Sequence, residues 1–489
     1  MKKILIILII SSIFVSCSEE FLNIAPKGDV YPETFYATAS DLEMAVTGVY
    51  EIFEDLYFYG NALAYTTAGR DKTSKFNNFV EVDVFNTEGD NGEMLRFWAY
   101  AYQAINACNK IINNYEGADA TEAAKKKSAG QAHFLRAYVY FQLVRMYNEL
   151  PFYLSIEEVS NDMTLTGPQV IYDVIVEDLK IAEDYLPTNW NDDTKRAGVA
   201  VTNGAAKSLL AYVYLSMAGY PLNDASKYAL AASKSKEVID NAGTWGYKLM
   251  ENIADLYSKE FNYENRACEE VVLAFHNDNE WGCPKCGTPG EYGGWEVYYA
   301  DLNYFKGYPE GPRKDAIFIW EFPMADGTTK HYTELSSKHP WYKQYWDGKI
   351  DWEKPWEGMN WKSSRPQVAL THSNNLLVYA EAKAMSSSPD ESAYKAINDV
   401  RNRAGLPNLT SGLSQTAFRD SVVQERAWEF PGGYFCTDPW YDLVRLERVE
   451  ASVSERDPSE NQIVNQPTKE HYFAPYPSID GVKNPNLVN

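Results

Sequence analysis

The chain has 489 residues, of which 45% are hydrophobic and 23% charged. This balance is typical of a globular protein with one large core or about two to three domains, and it excludes wholesale disorder. The formal net charge is −23, and because so acidic a surface repels phosphate backbones we expect no nucleic-acid partner. Aromatic residues make up 14% of the chain, with 36 Tyr and 13 Trp. This surplus indicates either a recognition surface or a helical core rich in Tyr.

The N-terminus has the pattern of a signal peptide. Two lysines precede a largely apolar run over residues 4–15, which is too short to span a bilayer. A small residue, Ser16, then precedes Cys17, and this step resembles a lipobox, although Phe14 stands where Leu is usual. Cleavage would make Cys17 the acylated N-terminus, anchoring the protein at a membrane. The alternative is an ordinary secretory signal with a stray cysteine.

Helical periodicity dominates the first half of the chain. Ser40 and Glu43 have the spacing of a capping box, and apolar residues then recur at helical spacing as far as Phe53. The same criteria predict helices over residues 94–114, 123–147, 170–185, 203–217 and 225–239. Small residues and Tyr in the last two would let antiparallel helices approach closely, as in tetratricopeptide (TPR) hairpins, and stacked hairpins would form a superhelix.

The composition changes after residue 270. Residues 281–361 contain eight of the 13 Trp, much Gly and Pro, and little helical periodicity. Apolar runs at residues 270–275 and 315–322 predict short strands, and we expect Trp320 in the second run to lie in the core. Helical patterning returns over residues 375–386, 390–404, 415–430 and 438–447.

Metal and redox chemistry find little support. Cys283 and Cys286 have the CxxC spacing, but no further ligands lie nearby at suitable spacing for zinc, so we expect a loop disulfide or two free thiols. The six histidines are scattered, and His133 is expected to serve packing. The acidic loop at residues 347–357 matches no EF-hand pattern. We therefore predict no metal site and no cofactor, and a structural calcium ion is not indicated.

Several motifs occur in an order that resembles the SusD/RagB family over nearly the whole mature chain. They are residues 132–152 (AHFLRAYVYFQLVRMYNELPF), 172–187 (YDVIVEDLKIAEDYLP), 397–407 (INDVRNRAGLP), 424–430 (QERAWEF), 440–446 (WYDLVRL) and 475–487 (PYPSIDGVKNPNL). Each motif alone is weakly specific, whereas their ordered run is specific. The connection over residues 431–439 is longer than is usual in the family. This departure affects the expected conformation of one local loop and not the expected fold.

The resemblance implies a mostly α fold, a SusD-like α-α superhelix of about four TPR-like hairpins with an irregular insert that has short strands. The predicted segments are a lipoprotein signal peptide (1–16), an N-terminal helical region (17–270), a Trp-rich ligand-binding insert (271–365) and a C-terminal helical region that completes the same domain (366–489). The acidic residues 18–20 resemble the export signal of surface lipoproteins in some Gram-negative bacteria.

The function that the resemblance implies is capture of oligosaccharides or polysaccharides at the cell surface. The ligand would pass to a SusC-like TonB-dependent transporter in the outer membrane, where the protein is lipid-anchored. The alternative is a TPR-like scaffold that binds peptide or protein cargo. A glycosidase would need two carboxylates flanking one bond, and Glu425 and Glu429, four residues apart on a predicted helix beside Arg426, are expected to form structural ion pairs instead.

Sugar recognition combines aromatic rings, which stack on the apolar C–H faces, with polar groups that bind the hydroxyls. The predicted stacking residues of the insert are Trp281, Trp295, Tyr298, Tyr299, Trp341 and Trp346. The predicted contacts from the loop before the second helix are Tyr65, Arg70, Asp71 and Asn78. The alternative is that the aromatic residues cover the scaffold as core and that the loop is merely solvated.

Overall fold

The computed structural model describes residues 35–57, 65–193, 196–254, 268–276, 287–343, 354, 366–433 and 436–487. The helices are α1 (Ala39–Tyr57), α2 (Asn77–Asp83), α3 (Gly92–Asn114), α4 (Glu122–Tyr147), α5 (Pro168–Tyr185), α6 (Asn203–Met217), α7 (Lys227–Asp240), α8 (Ala242–Trp245), α9 (Leu302–Gly307), α10 (Pro312–Ile317), α11 (His372–Ser386), α12 (Glu391–Arg403), α13 (Gln415–Glu429), α14 (Pro439–Arg445), α15 (Val449–Val453) and α16 (Ser478–Gly481). The strands are β1 (Lys72–Thr73), β2 (Leu150–Pro151), β3 (Leu165–Thr166), β4 (Val271–Phe275), β5 (Tyr299–Ala300), β6 (Phe318–Ile319), β7 (Glu321–Pro323), β8 (Thr329–His331), β9 (Trp341–Tyr342) and β10 (Gln367–Thr371).

The predicted long helices are confirmed within a few residues, but the predicted cap of α1 is wrong. The backbone N–H of Thr38 donates to the Asp41 carboxylate at 2.8 Å, and the N–H of Asp41 donates to the Thr38 hydroxyl at 3.2 Å. The reciprocal bonds therefore join Thr38 and Asp41 and not Ser40 and Glu43. Because the helix begins at Ala39, Ser40 already lies in its first turn and cannot act as the N-cap.

The long helices pack largely in chain order. Helix α1 contacts α3 and α4, α3 contacts α4, α4 contacts α5, α5 contacts α6, and α6 contacts α7. After the insert, α11 packs against α7 and α6, and α12 and α13 pack on α11. The last 20 residues of α4 and nearly all of α6 and α11 are buried, so these helices are enclosed on all sides and form the centre of the layer. The mostly helical prediction is confirmed.

A two-stranded sheet joins the two ends of the insert. Strand β4, where the chain leaves the helical layer, pairs antiparallel with β10, where it returns. Within the insert, β6 pairs with β9, and β5 pairs with β1 from the loop before α3. The strand predicted over residues 315–322 is only partly correct, because Pro312 occupies the first turn of α10 and delays the extended backbone until Phe318.

Buried arginines join the C-terminal helices. Arg426 on α13 pairs with Glu381 on α11 at 3.0 Å and with Asp442 on α14 at 2.9 Å. Arg445 pairs with the same two carboxylates at 2.6 Å each. All four side chains are at least 95% buried, so removing one charge would leave its partners buried without compensation.

The two carboxylates considered for the glycosidase alternative, those of Glu425 and Glu429, form ion pairs with arginines. Glu425 contacts Arg313 at 2.7 Å and Arg401 at 2.8 Å. Glu429 contacts Arg313 at 2.8 Å and also pairs with Arg403. The prediction of structural ion pairing is confirmed, although the partners come from α10 and α12 and not from the neighbouring Arg426.

A buried cluster also explains His133. Its Nδ1 lies 2.6 Å from the carboxylate of Asp178 on α5, which additionally binds Arg136 at 2.7 Å. The packing role predicted for this histidine is confirmed, since the cluster joins α4 to α5.

Cys108, Cys268 and Cys436 are free thiols, whereas Cys17, Cys283 and Cys286 lie outside the described residues. Among the described residues no helix is long and apolar enough to cross a membrane, and no group of three or more His, Cys, Asp or Glu side chains is placed to hold a metal ion.

Candidate functional site

Three of the predicted stacking residues are buried, Trp341 and Tyr299 in the core of the insert and Tyr298 in the main core. Trp341 is fully buried, its indole N–H donates to the Ser337 hydroxyl at 3.3 Å, and its ring centroid lies 5.2 Å from that of Tyr299. Tyr299 is 1% exposed, and Tyr298, 5% exposed, packs on Phe79. The stacking role predicted for these three side chains is therefore wrong in this conformation. Short strands and six-residue helices offer little apolar surface, so the rings themselves supply the core of the insert.

The other aromatic candidates of the insert remain predictions. Trp295 is half-buried against the main core. Trp281 and Trp346 lie outside the described residues.

We call the segment over residues 65–79, which precedes α3, the early loop. Two of the ligand contacts predicted in it have structural roles instead. Asp71 is 1% exposed; its carboxylate accepts the N–H of Gly432 at 2.6 Å and lies 3.4 Å from Lys72 Nζ. A ligand role for the Asp71 side chain is thus wrong in this conformation, because the group is enclosed and already bonded. Asn78 is half-buried on α2, and its backbone carbonyl accepts a hydrogen bond from the side-chain amide of Asn91 at 2.8 Å.

Arg70 lines a polar groove of about 290 Å³ together with Asp301, the half-buried Trp428 and Arg456. The backbone of Arg70 has a φ of 68°, and its Nη2 lies 3.8 Å from Asp83, which also pairs with Arg456 at 2.5 Å. Burial raises the pKa of Asp301 to about 6. The groove therefore contains Arg70 together with the aromatic ring of Trp428. The positive charges of Arg70 and Arg456 are largely balanced by nearby carboxylates.

A second concavity has aromatic walls. It measures about 360 Å³ and lies where the early loop, the end of α4, the start of α14 and the C-terminal tail meet. Its rings are those of Tyr65, Phe85, Tyr147, Trp440, Phe473 and Tyr476. We call this space the aromatic cavity. Its size and its mixture of rings with a few polar groups are typical of small-ligand sites.

Ring packing and hydrogen bonds from two tyrosine hydroxyls position the walls of the aromatic cavity. The Tyr65 ring meets Trp440 edge to face with centroids 5.7 Å apart, and Tyr147 stacks on Tyr476 at 6.0 Å. The Tyr65 hydroxyl donates to the carbonyl of His471 at 2.8 Å, and the Tyr476 hydroxyl donates to that of Glu149 at 3.0 Å. The tail segment is thereby fixed to both sides of the aromatic cavity.

A tight turn places three consecutive residues on one wall. Helix α4 ends at Tyr147, and Asn148 follows with φ 65° and ψ −62°. The N–H of Glu149 donates to the Tyr147 carbonyl at 2.8 Å, which closes a γ-turn of the rare form with positive φ. Such strained backbone persists only where the surrounding structure holds it, and it is concentrated at functional sites. Because of this turn, Tyr147, Asn148 and Glu149 all line the aromatic cavity.

Three buried polar atoms on these walls have no hydrogen-bond partner within the described part of the chain. They are the indole nitrogen of Trp440, the hydroxyl oxygen of Tyr147 and the side-chain oxygen of Asn148. Burial raises the pKa of Tyr147, so its hydroxyl keeps its proton at neutral pH. The set offers one donor, one acceptor and one group that can do both. All three atoms are closed to water in this conformation, so a ligand would pair with them by displacing part of the wall. Unpaired buried polar groups each cost about 1–3 kcal/mol, which such pairing would recover.

Of the rings that line the aromatic cavity, only Tyr65 was predicted from the sequence to contact a ligand. Tyr147 is the last residue of helix α4. Trp440 and Tyr476 each follow a proline near the start of a family-like motif. An aromatic residue beside a helix end or a proline was the sequence signal for these positions. No local sequence pattern, however, indicates that the three residues line the same cavity.

Comparisons with known proteins agree with this architecture. Residues 20–215 match a SusD-like family model described as starch-binding and associating with the outer membrane, and residues 320–489 match the model of the SusD family. A SusD-like protein, P2, of Formosa agariphila is 25% identical over 100% of this chain and 99% of its own length. Surface glycan-binding protein A from Bacteroides uniformis has a TM-score of 0.76 at 20% identity, covering 92% of this chain and 99% of its own. A structure with xylogluco-oligosaccharide has a TM-score of 0.73 at 21% identity, covering 91% and 97%.

The matches define the class first: a mostly helical protein with the SusD fold, similar to carbohydrate-binding proteins. The chain belongs to the SusD/RagB family.

Proposed function

We propose that this protein captures oligosaccharides or polysaccharides at the cell surface and passes them to a SusC-like TonB-dependent transporter for uptake. The observation that carries the proposal is the aromatic cavity with its three polar atoms that have no partner among the described residues. A sugar ring presents apolar C–H faces to the rings, while its hydroxyls pair with the indole N–H, the phenol and the amide oxygen. The glycan-binding neighbours, among them the complex with a xylogluco-oligosaccharide, support the same ligand class.

The protein acts by binding, without turnover. The paired carboxylates Glu425 and Glu429 are saturated by arginines, so neither is free to act as a general acid or a nucleophile. The acyl chains on Cys17 hold the protein at the outer membrane, facing outward. The polar groove at Arg70 and the half-buried Trp295 provide further contacts for longer chains.

The experiment is a binding screen on the soluble form that begins at Ser18. Affinity electrophoresis and calorimetry against plant, host and microbial polysaccharides identify the ligand. The variant Thr87→Trp places a bulky ring on the wall of the aromatic cavity, where Thr87 is half-buried. The matched control is Thr188→Trp, at an exposed position outside the cavity.

We expect the Thr87 variant to lose most of its glycan affinity and the Thr188 variant to keep it, with both proteins folded by circular dichroism. Unchanged affinity in the Thr87 variant would reject the aromatic cavity as the site. Binding of peptides but of no glycan would favour the cargo scaffold, and release of free sugar by the purified protein would contradict a role without turnover.

A further inference from the structure

Among the described residues, the aromatic cavity is lined by carboxylates but by no ammonium or guanidinium group. Among the described residues that line it, Glu149 and Glu470 are the only acids, and there is no Lys or Arg. Both carboxylate side chains are exposed, so they lie at the rim and not among the rings. After burial, the nearby charge of Glu149 is the further cause that raises the pKa of Tyr476, which places this carboxylate close to the wall.

The neighbouring basic groups do not offset this charge. Nδ1 of His471 accepts the backbone N–H of Thr468 at 3.1 Å, so this nitrogen is engaged within its own turn. Lys469, next to Glu470 in the chain, pairs with Glu447, and its ammonium lies 4.9 Å from the ring centroid of Tyr220. The Lys469 ammonium is therefore engaged outside the aromatic cavity.

The interior of the cavity is suited to hydroxyl groups. Its three unpartnered atoms are neutral and include both donors and acceptors. Carboxylate and sulfate groups are usually recognised by Arg or Lys, which form charge-assisted bonds with them. An acidic sugar would enter without such a partner and would meet two like charges at the rim. Repulsion of this kind reduces affinity by about tenfold at low salt and by less as salt screens it.

From these observations we infer that the aromatic cavity selects neutral sugar rings and rejects uronic acids and sulfated sugars. The inference rests on the proposed function and adds the chemical class of the ligand. The arginines of the groove at Arg70 do not change it, because Arg70 and Arg456 share the buried carboxylate of Asp83 and do not line the aromatic cavity.

The test uses matched ligands that differ only at their primary hydroxyl groups, and therefore in charge. Maltotriose, cellotriose and mannotriose are each compared with the same trimer oxidised at its primary hydroxyls to uronic acids. Affinities are measured by calorimetry at 20 mM and at 300 mM salt. We expect the oxidised form of any trimer that binds to be about tenfold weaker or more at low salt, with a smaller ratio at high salt.

Two double variants then identify the origin of the ratio. Glu149→Gln with Glu470→Gln removes both rim charges and should bring the ratio of neutral to oxidised affinity towards one. Glu157→Gln with Glu251→Gln makes the same change in net charge at exposed positions outside the cavity and should leave the ratio unchanged. Equal binding of both forms by the unmodified protein, or a ratio that both variants change alike, overturns the selectivity and leaves the proposed function intact. Absence of binding by every trimer and every polysaccharide overturns the proposed function itself.

Discussion

The substitution Tyr147→Phe separates binding from stability. It removes one oxygen from the wall of the aromatic cavity and keeps the ring that stacks on Tyr476. Since this hydroxyl has no partner in the described structure, its removal breaks no internal bond. We therefore expect the free energy of unfolding to stay unchanged or to rise by up to about 1 kcal/mol. Bound glycan loses one hydrogen bond worth about 1 kcal/mol, which is about fivefold in Kd.

The same helix offers a matched control. The hydroxyl of Tyr140 is buried as well, but it donates to the carbonyl of Tyr153 at 2.7 Å and does not line the aromatic cavity. Tyr140→Phe should therefore lower the free energy of unfolding by about 1 kcal/mol and leave glycan affinity unchanged. The two variants differ from the parent by the same single oxygen.

The assays are urea denaturation for stability and calorimetry for affinity, using the glycan that the screen identifies. The reasoning is refuted if Tyr147→Phe destabilises the protein as much as Tyr140→Phe does while glycan affinity is retained. That outcome would mean that the Tyr147 hydroxyl is satisfied within the protein and does not contact the ligand.

Three further predictions concern stability. Trp341→Ala should lower the free energy of unfolding by about 3–5 kcal/mol, because the side chain is fully buried, and a folded variant of parental stability in urea denaturation would contradict the core role. Arg426→Ala should cost about 3–5 kcal/mol by the same assay, because it leaves the Glu381 and Asp442 carboxylates without their shared partner; Arg419→Ala, next to an exposed aspartate, should cost less than about 1 kcal/mol. Burial lowers the pKa of His372 to about 4, so the unfolded state binds a proton that the folded state refuses, and stability falls by about 2 kcal/mol as the pH drops from 7 to 5. His372→Asn should remove that part of the pH dependence. Burial also raises the pKa of the neighbouring Glu270, which makes stability change with pH in the opposite sense, but equally in both proteins. Identical pH profiles of stability for the parent and the variant would therefore contradict the assignment to His372.

The long helices could be predicted from the sequence because their causes are local. Apolar residues at helical spacing, prolines at helix ends and polar N-caps act within about one turn of the chain. The predicted bounds of α6, 203–217, agree with the structure for this reason. The cap of α1 was misplaced by two residues because Thr38 and Ser40 are both good N-cap residues, and only the packing of the helix decides which one ends the extended backbone.

The site depended on contacts that no local pattern contains. Trp341 and Trp295 belong to the same Trp-rich segment, yet pairing of β9 with β6 encloses the first, while the second is only half-buried against the main core. Tyr65, Tyr147 and Trp440 are separated by long stretches of chain and line one cavity only in the folded protein. The sequence by itself determined the helices, the composition and the order of the motifs. The tertiary structure decided which rings are enclosed, which hydroxyls are left without partners and which charges face the ligand, because burial and pairing are properties of segments that meet in space.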